Sequence, residues 1–104
     1  NTVQALTNAM VRALIWMQDA SPQQILATVP EEYTLGNKAM YLYAFNNVKT
    51  AYSKDGLFSE AGAKTTMKAL ASFNPAITPA SIDLQQTYTN EFVKIALAKY
   101  GKKK

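Results

Sequence analysis

The chain contains no cysteine and no histidine. That excludes thiolate and imidazole metal sites, a Ser-His-Asp triad and a Cys nucleophile paired with His. It also leaves the redox compartment unspecified, because a disulfide-free protein suits the cytosol and the periplasm equally. Glycine and proline occur only four times each, and no Gly-rich phosphate loop is among their settings. No apolar run approaches the ~20 residues that a membrane span requires. There is no internal repeat, and the only low-complexity stretch is the closing Lys102-Lys103-Lys104. The chain starts at Asn1 with neither an initiator Met nor a positively charged leader, so a trimmed product is expected, with any signal peptide outside it.

At 104 residues there is room for one domain, able to bury about two thirds of the surface of its unfolded chain. Apolar residues make up 48% and charged residues 17%, a balance that suits a packed unit rather than a disordered one. The net charge of +4 is concentrated at one end: Lys99, Lys102, Lys103 and Lys104 carry it, and residues 1–98 hold seven charges of each sign. A phosphate-tracking face needs a stripe of cations across the fold, so no nucleic-acid partner is expected. The division is a helical unit over residues 1–101 and a solvated basic tail over 102–104.

The apolar periods are helical throughout. Val3, Leu6, Met10, Ala13, Leu14 and Met17 mark one face of a first helix capped by Asn1, and Val11, Ile15 and Trp16 widen its apolar arc. Ser21-Pro22-Gln23-Gln24 is a capping box with proline at the first helical position, opening a short helix that Pro30 interrupts. Glu31 and Glu32 fit the first turn of another short segment, and Gly36-Asn37 punctuates. Tyr41, Phe45, Val48 and Tyr52 predict a helix with an aromatic face, followed by a turn at Ser53-Lys54-Asp55-Gly56. Ser59 caps a helix through Ala63, Met67, Leu70 and Phe73 that ends before Pro75. Ser81 is expected to cap a single turn through Leu84. Thr89 or Asn90 then caps the last helix, with Gly101 as its left-handed stop. The fold class is all-α, with four longer helices and two or three short ones.

Candidate chemistry is sparse. Asp19, Glu31, Glu32, Asp55, Glu60, Asp83 and Glu91 sit in helix starts and turns, where capping accounts for them without a convergent acid and base pair. Ser59-Glu60-Ala61-Gly62 has the outline of an anion-binding helix start, but Glu60 would repel the anion. Met10, Met17, Met40 and Met67 lie at core spacing. Trp16 and the tyrosines at 33, 41, 52, 88 and 100 are also expected in the core, with Tyr43 exposed. Arg12, the only arginine, is expected to pair with Asp19. No catalytic, cofactor or metal residue is assigned, no cofactor is expected, and the chain is not read as an enzyme.

Several segments taken in order carry a resemblance: Thr2-Val3-Gln4-Ala5-Leu6-Thr7-Asn8-Ala9, Ser21-Pro22-Gln23-Gln24-Ile25, Tyr52-Ser53-Lys54-Asp55-Gly56-Leu57-Phe58, Ile82-Asp83-Leu84 and Thr87-Tyr88-Thr89-Asn90-Glu91-Phe92-Val93. Together they resemble the carboxy-terminal part of the nitrate/sulfonate/taurine-type solute-binding proteins of ABC importers. The resemblance implies a scaffold fragment of a two-lobed extracytoplasmic or periplasmic receptor, the helical end of a type II periplasmic-binding-protein lobe. The parent would capture a small nutrient of the nitrate, sulfonate, taurine or pyrimidine-precursor class and present it to a permease, with the ligand loops upstream. No ligand-binding position is therefore carried over. An isolated fragment would expose apolar surface that a second copy could cover, giving a homo-oligomer. The alternative is a free-standing helical interaction module whose apolar face accepts a partner helix.

Overall fold

The computed structural model describes residues 1–102. The chain is all-α, with no strand among the described residues. Helices α1 (Thr2–Asp19), α3 (Lys38–Val48), α4 (Glu60–Phe73) and α5 (Glu91–Tyr100) are the longer elements, and α2 (Pro22–Thr28) is short. Single 3-10 turns occupy Glu31–Thr34, Lys49–Ala51, Pro79–Ser81 and Leu84–Gln86.

Local chemistry explains most helix starts. The side chains of Asn1, Ser21, Asn37 and Ser59 accept from the amides of Gln4, Gln24, Met40 and Gly62, and the Ser21 cap is a complete box with Gln24. Two expectations fail locally. Ser81 ends a 3-10 turn instead of starting one, and Asp83 caps the next by accepting from the Gln85 amide. Gly101 is extended, at φ −63°, not left-handed; a Cβ there would lie 2.4 Å from the Leu97 carbonyl oxygen, so glycine serves a close approach.

Among the described residues, α1 and α5 form the most extensive helix pair, and they run in the same direction. Gln4, near the start of α1, donates to the carbonyl of Phe92 near the start of α5, while Asp19 at the end of α1 pairs with Lys102 just past the end of α5. Val11 and Ala96 are buried between them.

The face of α1 that is buried is not the one its periodicity highlights. Val11 is buried and Gln4, Asn8 and Ile15 are half-buried, whereas Val3, Leu6 and Met10 are 54%, 66% and 60% exposed; of the periodic face only Leu14 and Met17 are half-buried. Trp16, Met40, Tyr33 and Tyr52 are likewise exposed rather than core. Tyr43 is exposed as expected, and Tyr41, Tyr88 and Tyr100 are half-buried. The reason is a shortage of partners: α1 is apolar on two sides and the chain supplies one helix to cover it.

The same shortage appears in the dimensions. The chain exposes 8123 Å², against about 5,800 Å² for a compact protein of its mass. Its radius of gyration is 17.6 Å, against about 13 Å for a compact domain of this length. Among the described residues, Val11, Ile25, Ala63 and Ala96 are the buried apolar side chains.

Candidate functional site

The segments 52–58 and 87–93, far apart in sequence, meet in space. Ser53 Oγ accepts from the Gly56 amide at 2.8 Å and Asp55 Oδ1 accepts from the Leu57 amide at 2.9 Å, so the turn is closed by its own side chains. Gly56, at φ +82°, is pressed against the α1/α5 pair: a Cβ there would lie 3.3 Å from Val11 and 3.6 Å from both Leu14 and Val93. Beyond the turn, Asn90 exchanges two hydrogen bonds with the backbone of Phe58. The Phe58 and Tyr88 rings stack at 4.8 Å between centroids, tilted by 47°.

Two open clefts flank this junction. The first, about 390 Å³, is apolar, with Phe58, Met67, Leu70, Ile82, Leu84 and Tyr88 among its walls. The second, about 300 Å³, is mixed in character and lies at the end of α1, walled by Leu14, Met17, Gln18, Asp19, Lys49 and Lys54 among others. Lys49 Nζ donates to the Gln18 carbonyl at 3.1 Å, placing a cation where the last carbonyls of α1 concentrate negative charge. Gln18 Nε2 donates in turn to the Lys54 carbonyl. These bonds tie the 49–54 segment to the end of α1.

The carboxylates remain dispersed. Asp55 and Asp83 bond local backbone amides, and Glu60 pairs with Lys64 at 2.7 Å one turn along α4, which leaves the start of that helix acidic. Asp19 pairs with Lys102, not with Arg12 as expected from their proximity in sequence. The Arg12 guanidinium lies 5.1 Å above the Tyr100 ring instead. Hydrogen bonding to Lys102 holds the Asp19 carboxyl below its ordinary value, and the Lys64 ammonium does the same for Glu60. No group of three His, Cys, Asp or Glu residues converges among the described residues. Lys102 is anchored by its ion pair, while Lys103 and Lys104, expected as part of a solvated tail, lie outside the described residues.

Sequence reasoning missed Asn90 as a tertiary clasp and Gln18 as a tie to the 49–54 loop. The one available signal was that both are amides, which can donate and accept at once. No protein-family model matches the chain, and no curated protein or solved structure does so either.

Proposed function

We propose that this chain is a non-catalytic scaffold piece of an extracytoplasmic solute-binding receptor of an ABC importer, whose helices cover a β-layer supplied by another part of the receptor. In that setting the parent takes a small nutrient of the nitrate, sulfonate, taurine or pyrimidine-precursor class by closing two lobes, and hands it to a permease. The observation that carries the reading is the exposed stripe Val3, Leu6 and Met10 on α1, an apolar face one turn after another that stays uncovered among the described residues. The ordered resemblance from Thr2 to Val93 supports it independently.

The test begins with the gene. An open reading frame that continues upstream into alternating strand and helix patterns behind a secretory leader is the expected result. In that longer protein Leu6→Glu should cost about 2–3 kcal/mol, the worth of a buried leucine. In the 104-residue chain alone it should cost less than about 0.5 kcal/mol, because Leu6 is exposed there. A stop codon directly upstream, or equal effects of Leu6→Glu in both forms, would defeat the receptor reading and leave the free-standing interaction module in its place.

A further inference from the structure

The apolar cleft of about 390 Å³ has two walls that are anchored differently. One is α4, which presents Ala63, Met67 and Leu70 at helical spacing. The other is the segment 75–89, which supplies Ile82, Leu84 and Tyr88. The hydrogen bonds of that segment are local: the Ile77 amide donates to Asn74, the Ile82 amide to Pro79, and the Thr87 amide and hydroxyl to Leu84. Its ends are fixed, by the Asn74 amide donating to Leu70 and by the Asn90 clasp on Phe58. Between those ends the two walls meet through apolar side chains, and the space is only partly filled, since Phe58, Leu70 and Ile82 stay exposed along it.

The size and chemistry of the space define what fills it. A dry cavity of about 150 Å³ lined by Leu, Ile and Phe takes up one benzene, so about 390 Å³ suits a molecule of two rings with an edge left in water. No Asp, Glu, Lys or Arg is in the lining, so a charged ligand would lose hydration without gaining a partner. The Phe58 and Tyr88 rings, 4.8 Å apart, offer aromatic surface to a flat molecule. Thr66 and Tyr88 add two hydroxyls, enough to bond one polar group on it. Apolar side chains converging from two walls, with few polar groups among them, are the usual make-up of a small-molecule site.

We propose that the cleft between α4 and residues 77–88 binds a neutral aromatic molecule of about two rings, carrying at most one hydroxyl or amide, and that binding fastens the 75–89 segment to α4. Such a molecule touches both walls at once and joins them where the segment's own hydrogen bonds do not reach. The α1 stripe takes no part, so the site stands apart from the receptor reading.

The probe is 2-naphthol, uncharged near neutral pH, titrated into the full 104-residue chain and followed by amide NMR and by calorimetry. Saturable shifts are expected at Ala63, Met67, Ile82 and Tyr88 and not at Leu6 or Met40, with slower chymotryptic cleavage at Leu84 and Tyr88. The carboxylate 2-naphthoate should bind about tenfold more weakly or worse. Thr66→Trp, which fills the cleft from an exposed helical position, should weaken 2-naphthol about tenfold or more without lowering the melting temperature. Ile82→Asp should weaken it by placing a charge in the lining, and Leu6→Lys should leave it unchanged. Absence of saturable shifts, equal shifts over the cleft and the α1 stripe, or 2-naphthoate bound as tightly as 2-naphthol overturns the proposal. Binding kept in Thr66→Trp but lost in Leu6→Lys moves the site to α1 and overturns it, leaving the receptor reading intact. Binding with unchanged cleavage at Leu84 and Tyr88 overturns the fastening of the segment.

Discussion

Asn90 binds the backbone of Phe58 twice: its Oδ1 accepts from the Phe58 amide at 2.8 Å, and its Nδ2 donates to the Phe58 carbonyl at 2.8 Å. One side-chain amide thus satisfies both backbone groups of Phe58, and it ties the turn after Asp55-Gly56 to the start of α5. Asn90→Ala removes both bonds and should lower stability by about 1–2 kcal/mol. Urea unfolding followed by circular dichroism measures this; an unchanged midpoint would mean that water replaces the clasp without loss.

Gly56 combines two demands, a positive φ and contact with Val11, Leu14 and Val93. Gly56→Ala should therefore cost about 1–3 kcal/mol, through left-handed strain and the displacement of α1 from α5. Gly36 is the internal control. Its φ is +73° but a Cβ there meets nothing within 4 Å, so Gly36→Ala should cost only the strain, about 1–2 kcal/mol. Thermal melts of the two variants should rank Gly56→Ala as the more damaging.

Leu35 is left-handed, at φ 49°, and Leu35→Gly should be neutral to stabilising. Relief of left-handed strain is worth about 1–2 kcal/mol, against about 0.5–1 kcal/mol for the added freedom of glycine in the unfolded chain, and no buried surface is lost at a side chain 90% exposed. Differential scanning calorimetry reads the sign; a fall in the melting temperature would mean that Leu35 supports the fold.

Acid should weaken the fold through Asp19 and Glu60. Both carboxyls are held below their ordinary values by their lysine partners, so their contribution is fully present above the unfolded value and is lost as pH falls through the folded one. The window runs from about pH 5 downward. Lys64 is raised by Glu60, so its share disappears at the alkaline end, as pH rises through its folded value. All three groups are exposed, so the effect is small and salt-sensitive. Melting temperatures measured across acid pH should show a shallow decline that added salt flattens and Asp19→Asn reduces.

Much of the secondary structure was legible because it is set within a few residues. The caps at Asn1, Ser21 and Ser59 each need only a side-chain oxygen and an amide three positions on. The Asp55-Gly56 turn needed only its own Ser53 and Asp55. Loop conformations and long-range pairs were less legible. Leu35 shares its left-handed conformation with Gly36, and the Gly36-Asn37 signal located the break without indicating that the leucine before it would join. The partner of Asp19 was misassigned because Arg12 is near in sequence, whereas Lys102 reaches Asp19 only once α5 lies alongside α1.

By itself the sequence determined the helical class, the caps at Asn1, Ser21 and Ser59 and the absence of thiol or imidazole chemistry, since each follows from residue type and short spacing. Only the tertiary structure decided which side of α1 is covered. Its two apolar faces are nearly equal as patterns, and the choice between them rests on α5, whose Phe92 lies 88 residues from Gln4. That choice leaves Val3, Leu6 and Met10 facing outward, because one helix can shield only one side of another.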